Sequence, residues 1–286
     1  MRALARPFRR GRSGGGPSAT VLGLAPVVLI VVVLAPVYWM LAASFMPETQ
    51  LFERPSLVPW PPTMTHYREL FDVRQFWLPM RNSFIVATAT TVATVPLAAL
   101  AAYALARLRF RGRTTLLALV LAVAMFPQIA LVSPLFIGLR ALGLIDTFPG
   151  LVAPYLTFAL PLAIWLLVGF FRQLPRELEE AARLDGASRL RTLFEIVAPL
   201  AAPGLATTAI LTFLYCWNEF LFALSFTLGP EHHTVPVAIT LFRGQYQVPW
   251  GQILAAAVVA TVPVIAIVLV FQRRIVQGLT AGALKG

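Results

Sequence analysis

Six runs of roughly 20 or more predominantly apolar residues, each long enough to cross about 30 Å of hydrocarbon as a helix, leave this chain few architectures. They lie near Thr20–Phe45, Asn82–Ala106, Thr114–Leu139, Gly150–Phe171, Pro203–Leu228 and Gln252–Phe271. A transmembrane strand would instead alternate polarity over about ten residues, and none of the six does. Charged residues make up 12% of the chain, against about a quarter in a soluble domain. The 58% hydrophobic content is equally incompatible with a disordered chain. Cys216 is the single cysteine, so a disulfide scaffold is excluded. The expected fold is an all-α membrane protein with six transmembrane helices.

The net charge is +11, and 22 of the 23 basic residues are arginine. In a soluble protein this balance points to nucleic acid; here its distribution reads as topology, with no nucleic-acid partner. Arg2, Arg6, Arg9, Arg10 and Arg12 precede the first run; Arg107, Arg109, Arg111 and Arg113 follow the second. Arg172, Arg176, Arg183, Arg189 and Arg191 follow the fourth, and Arg273, Arg274 and Lys285 close the chain. The intervening segments hold only Arg54, Arg68, Arg74, Arg81, Arg140 and Arg243, so alternate sides carry 17 and 6 positive residues. The positive-inside rule then places both termini and the second and fourth connections in the cytoplasm.

The first run begins after basic residues, but its length of about 25 residues exceeds the 7–15 of a signal-peptide core. It is expected to stay as a membrane helix. Residues 1–18, rich in Arg, Gly and Ser, read as a disordered cytoplasmic tail. In the segment Met46–Arg81, five prolines preclude a long helix at its start, Thr65–Phe71 suits a short surface helix, and Trp60 and Trp77 suit interfacial anchors. Pro96, Pro127, Pro134, Pro154, Pro161 and Pro263 fall inside the runs, where proline is tolerated but bends a helix.

The connection at about 173–200 carries the most local information. Pro175 suits a first helical turn, and Glu177, Glu179 and Glu180 place negative charge at the positive end of the helix dipole. Leu178, Ala181, Ala182 and Asp185 share a face by spacing, with the alanines leaving a closely approachable stripe. Gly186 suits a helix stop and Ser188 the cap of a second helix. Leu190, Leu193, Phe194 and Val197 give that second helix an apolar side, and Pro199 and Pro203 turn the chain into the fifth run. The reading is a helix–turn–helix on the cytoplasmic surface, shaped to dock into a groove on a partner.

The stretch EAARLDGAS followed by Ile196 and Pro199 resembles the EAA signature of permease subunits of binding-protein-dependent ABC importers. Glu180, Ala181, Ala182, Gly186, Ile196 and Pro199 fall in register; Ala198 departs from the expected Leu. FPQIALVSPLF, LGLIDTFPGL, ALPLAIWLL, WNEFLFAL and the terminal RRIVQGLTAGALKG look like the carbohydrate-uptake branch, of the maltose and trehalose type. The resemblance implies a six-helix permease domain over 19–286 in the bacterial plasma (inner) membrane. It implies a second permease subunit, two cytoplasmic ATPase subunits that use ATP and Mg, an extracytoplasmic solute-binding protein, and a sugar substrate. Glu180, Ala181, Ala182, Asp185, Gly186, Ile196 and Pro199 would then form the ATPase-coupling element.

Glu219 is the one acidic residue well inside a run, beside Trp217 and Asn218. A charge at a helix centre costs roughly 2.5–3.5 kcal/mol on insertion scales, so such residues face a cavity or a partner. A ring face with polar neighbours suits a sugar, and interhelical packing suits the same residues equally. Gln128, Ser133, Tyr155 and Thr157 are weaker lining candidates. An ion-gradient transporter using Glu219 is the alternative in kind, although no inverted repeat is visible. His232 and His233 beside Glu231 read as a surface loop rather than a zinc site. No GxxxxGK[ST] loop is present, so ATP hydrolysis belongs to another chain, and no catalytic motif or bound cofactor is expected.

Overall fold

The computed structural model describes residues 19–242 and 248–283. The arginines of the N-terminal tail, Arg243 and Lys285 lie outside the described residues. The described chain is helical without strands. Its helices are α1 (Ala19–Ser44), α2 (Glu48–Glu53), α3 (Thr65–Arg68), α4 (Trp77–Arg107), α5 (Arg113–Ala124), α6 (Gln128–Ala141) and α7 (Phe148–Gln173). There follow α8 (Glu177–Leu184), α9 (Arg189–Thr192), α10 (Ala198–Leu200), α11 (Ala202–Trp217), α12 (Leu221–Phe226), α13 (Val235–Thr240) and α14 (Trp250–Ala283). Two π-helical turns, Glu69–Val73 and Leu193–Val197, extend α3 and α9.

Four helices, α1, α4, α7 and α14, are each long and apolar enough to cross a membrane. Two sharply bent pairs raise the number to six if each counts as one span: α5 with α6 at 87°, and Arg189–Leu200 with α11 at 83°. The third apolar run is therefore not one rod. Its corner is Pro127, which sits in extended backbone as the N-cap of α6 and cannot donate back into α5. Pro96, Pro134, Pro154, Pro161 and Pro263 stay within continuous helices. The fifth run also departs from expectation: α11 stops at Trp217, and α12 begins four residues later.

The bundle is built around α4 against α7, with α11 packed on both. Where α4 nears its end, Ala98, Ala99, Ala102 and Ala106 meet Ala163, Leu167 and Phe171 of α7. Small residues let the backbones approach closely, which supplies the dispersion contacts that hold membrane helices together. A second, aromatic core fills the other end, with Phe76, Tyr155, Phe158, Phe213, Trp217, Phe222 and Phe226. α1 packs along α14 and leaves its apolar side chains from Val27 to Leu34 exposed, as a lipid-facing helix does. α3 is the short helix expected near Thr65, and the π turn after it is pinned to α14. Gln252 Nε2 donates to Glu69 Oε2 at 2.6 Å, and Arg74 Nε donates to Gln252 Oε1 at 3.3 Å.

At the end of α4 where Asn82 lies, two connections are latched together. Asp146 adopts φ 58° and donates its N–H to Phe226 O at 2.8 Å. Its Oδ1 accepts from Leu228 N at 3.0 Å and Gly229 N at 3.3 Å, and His232 Nδ1 lies 3.4 Å away. Asn82 Nδ2 donates to Glu231 O and His233 O, and Val235 N donates to Ser83 Oγ. The His232–His233 pair is thus part of a loop latch. Desolvation pushes the Asp146 carboxyl upward, but the two N–H donors and the neighbouring histidines outweigh it and hold it below its usual value. Burial pushes the His233 imidazole down.

A carboxyl depressed in the folded state contributes stability above its unfolded pKa and loses it as pH falls through the folded value. Asp146→Asn keeps an acceptor and tolerates the left-handed backbone, so it isolates the charge. Thermal unfolding in detergent at pH 7 is expected to show a loss of about 1 kcal/mol. The gap should close as pH drops below about 4. A gap that persists at pH 3 would show that the charge is not what holds the latch.

Candidate functional site

Two regions bring the sequence-derived candidates together: the hairpin between α7 and α11, and the break between α11 and α12. In the hairpin, Leu174 is extended and Arg176 is the N-cap of α8, so Pro175 precedes the helix instead of occupying its first turn. The helix ends as expected at Gly186, whose φ is 81°. Ala187 N bonds Ala182 O at 2.9 Å and Gly186 N bonds Arg183 O at 3.1 Å. This nested pair of backbone bonds satisfies the last carbonyls of a glycine-terminated helix. Ser188 then caps α9, its Oγ accepting from Arg191 N at 3.3 Å. The elbow is therefore closed by its own hydrogen bonds.

The faces of the hairpin differ in part from the spacing argument. Glu180, Ala181 and Asp185 are exposed, while Ala182 is buried with Glu179 on the side facing the bundle. Leu178, assigned to the alanine stripe, is exposed. Leu193 and Val197 are buried in the core with α4 and α7, whereas Leu190 and Phe194 on the same segment are exposed. The π turn over Leu193–Val197 carries two apolar side chains inward, and Ile196 is half-buried beside them. Pro199 is exposed just before the 83° bend.

The residue that fastens the hairpin is one the sequence argument treated only as a dipole partner. Glu179 Oε1 lies 2.7 Å from Arg107 Nε, with the two side chains 6% and 4% exposed. Tyr103 Oη donates to Glu179 Oε2 at 3.3 Å, and Arg107 Nη2 donates to Leu174 O at 2.8 Å. Arg107 and Tyr103 belong to the last turns of α4, so α8 is clamped to a helix more than seventy residues away in sequence. No sequence spacing could announce this contact, because both partners look like ordinary members of charged segments.

At the other end of α11, the Trp217-Asn218-Glu219 triplet ends one helix and starts another. Asn218 Nδ2 and its own N–H both reach Leu214 O, at 2.8 and 3.2 Å. Glu219 accepts from Phe222 N at 2.8 Å and Ala223 N at 3.1 Å, capping α12. Side-chain bonds of this kind compete with a continuous helix and explain the break. The carboxylate is 8% exposed and aligned with the positive end of α12. Its two backbone bonds tie it to the start of α12.

Beside the break lies an open cavity of about 730 Å³ lined by Gln128, Leu162, Leu211, Tyr215, Asn218 and Glu219, among others. Gln128 Nε2 donates to Tyr215 Oη at 2.6 Å, linking α6 to α11 in the cavity wall. Three of the sequence candidates, Gln128, Asn218 and Glu219, therefore meet, and Tyr215 joins them unforeseen. Trp217 turns into the core and stacks on Phe213 with ring centroids 5.8 Å apart. Tyr155 is also in the core, its hydroxyl near Glu219 but without a hydrogen bond of good geometry. Thr157 Oγ1 donates to Ala153 O on its own helix.

Residues 94–281 match the model of the family described as binding-protein-dependent transport system inner membrane component. The chain is 46% identical over 274 residues to the trehalose transport system permease protein SugB of Mycobacterium tuberculosis, covering 95% of this chain and 100% of that one. It is 42% identical over 269 residues to the trehalose/maltose transport system permease protein MalG of Thermococcus litoralis, covering 93% and 96%. In fold it is similar to a chain of a bacterial ABC transporter involved in import of the acidic polysaccharide alginate. That match has a TM-score of 0.72 and 24% identity, and covers 94% of this chain and 99% of the other.

Removing one partner of a buried ion pair leaves the other charge uncompensated, at a cost of about 3–5 kcal/mol, whereas replacing both by apolar residues is close to neutral. Glu179→Ala is therefore expected to lower the unfolding free energy in detergent by that order. The double variant Arg107→Met with Glu179→Met should recover most of it, and Glu180→Ala, at an exposed position, should change little. Equal effects of Glu179→Ala and Glu180→Ala would remove the clamp from the account.

Proposed function

Since the chain belongs to the family of binding-protein-dependent transport system inner membrane components, and is thus a multi-pass transport subunit and not an enzyme, we propose that it is one permease subunit of an ATP-driven sugar importer. The substrate proposed is a disaccharide of the trehalose or maltose kind, in line with the names of the two relatives described above. The subunit pairs with a second permease, two cytoplasmic ATPases that hold ATP and Mg, and an extracytoplasmic solute-binding protein. Residues 1–18 form a basic cytoplasmic tail, and 19–286 form the permease domain with six spans and both termini in the cytoplasm. The arginine distribution supports this orientation.

The observation that carries the mechanism is the self-closed hairpin, fastened to α4 through Glu179 while Glu180, Ala181 and Asp185 remain exposed. Closure of the ATPases pushes on these exposed residues. Gly186 and Ser188 keep the elbow's shape, and Ile196 and Pro199 lie where the push passes into α11. In this reading Glu180 contacts the ATPase surface and Gly186 fixes the turn. The cavity by Gln128, Tyr215, Asn218 and Glu219 is part of the sugar path, offering amide and hydroxyl groups among apolar walls. Trp217 and Tyr155 support that wall from behind.

A proline at Gly186 cannot adopt φ 81°. Gly186→Pro is therefore expected to abolish uptake of labelled trehalose into proteoliposomes holding the whole transporter, ATP and binding protein, while membrane insertion is retained. Gly186→Ala, with open space around its added carbon, should cost only about 1–2 kcal/mol of backbone strain and keep most transport. Near-normal uptake by the proline variant would count against the lever. Uptake that needs no ATP and collapses with an ionophore would sink the importer reading as a whole.

A further inference from the structure

The connection from α4 to α5 carries Arg107, Arg109, Arg111 and Arg113 with no acidic residue among them. Arg107 is consumed by Glu179. The other three are joined in space by Arg176, brought in by the start of the hairpin; these four arginines and Phe110 line one open cleft of about 530 Å³, and Arg109 and Arg176 also line an adjoining cleft with Glu179 and Glu180. Among the described residues the ion pairs are Arg107–Glu179, Arg191–Glu195 and His232–Asp146, so none of the four has a carboxylate partner. Four like charges around one cleft repel one another unless an anion sits between them.

Two further features define that anion. α5 begins here: Gly112, with φ 86°, is its N-cap, and no side chain caps the first N–H groups, so the positive end of a twelve-residue helix adds to the field. Phe110 stands among the arginines and is 41% exposed. The cleft also lies between the end of α4 and the start of the bent α5–α6 pair, stretches apolar enough to cross a membrane if that pair counts as one span. Guanidinium forks match phosphate oxygens bidentately, and basic pockets at the ends of membrane helices suit lipid headgroups. The exposed Phe110 ring adds an apolar surface beside the charges. We propose that the cleft formed by Arg109, Arg111, Arg113 and Arg176 is a site for the phosphate of an anionic membrane phospholipid. The lipid joins the α4–α5 connection to the root of the hairpin. The proposal does not depend on which solute the protein carries.

The test uses the purified full-length chain in a neutral maltoside detergent, titrated by native mass spectrometry with dioleoyl phosphatidylglycerol or dioleoyl phosphatidylcholine. The anionic lipid is expected to bind at least about tenfold tighter than the zwitterionic one. The variant with Arg109→Gln, Arg111→Gln, Arg113→Gln and Arg176→Gln should lose that preference, and Arg191→Gln, which lies in an exposed pair elsewhere, should keep it. In the wild-type chain the preference should also shrink as sodium chloride rises from 50 to 500 mM, a reading independent of how the variant folds. Equal binding of the two lipids by the wild-type chain overturns the proposal, and so does an unchanged preference in the folded fourfold variant. Displacement of the lipid by millimolar inorganic phosphate would make this a free-anion site. Tighter binding of poly-L-glutamate than of the lipid would assign the arginines to an acidic protein surface. Either result also overturns it.

Discussion

The buried pair of Arg107 and Glu179 is what makes the hairpin part of the bundle. Everything else on α8 faces outward or is small: Ala182 is its other buried residue. Two charges taken out of water repay their desolvation only when their geometry is good and their remaining groups are bonded. Tyr103 and the Leu174 carbonyl bond the remaining atoms here, while Arg107 Nε and Glu179 Oε1 face each other at 2.7 Å as an ion pair without hydrogen-bond alignment. Loss of either partner would leave an uncompensated buried charge, which is what ties the hairpin to α4.

The core beside the pair uses the opposite chemistry. Alanines on α4 and α7 bring the backbones together, and Leu193 and Val197 complete the seam from the far side of the hairpin. The π turn matters in this context. A strict α-helical continuation from α9 would set Leu193 and Val197 at i and i+4; the wider turn spans the same five residues and still buries both. Just after it, at Ala201, the chain bends by 83° into α11. The hairpin thus meets the bundle through an ion pair at its start and an apolar seam at its end.

What was legible in the sequence was what depends on near neighbours. Apolar length found the four helices long enough to cross a membrane and the two bent pairs, and Gly186 and Ser188 announced the elbow because positive φ and a capping oxygen are local needs. Pro127 was readable as a disturbance, though not as a corner of 87°, since five other prolines in the same setting leave their helices continuous. Trp217, Asn218 and Glu219 stood out as polar residues within an apolar run, but not as the place where that run breaks. Their roles were not legible, because a cap and a cavity wall call for the same residue types. The structure gives both residues both roles: Asn218 and Glu219 bond the backbone on either side of the break and also line the cavity beside it. Arg107 and Glu179 were invisible as a pair for the plainest reason: their contact exists only after α4 and α7 have packed.

These pieces share one helix. α11 has sixteen residues, hence a length of about 24 Å at 1.5 Å per residue. Its N-terminal end follows the bend from the hairpin, and its C-terminal end is the Asn218–Glu219 break beside the cavity. Tyr215, which holds Gln128 across that cavity, lies within its last turn. A rigid rod pivoting on the tight contacts with α4 and α7 converts a displacement at one end into an opposite one at the other. Breaks at both ends are then a mechanical requirement: a helix continuous with its neighbours would spread the same push over bending of the whole segment. Under the proposed function, the capped break at Glu219 is what lets motion that begins at the hairpin arrive at the sugar path as a change of shape.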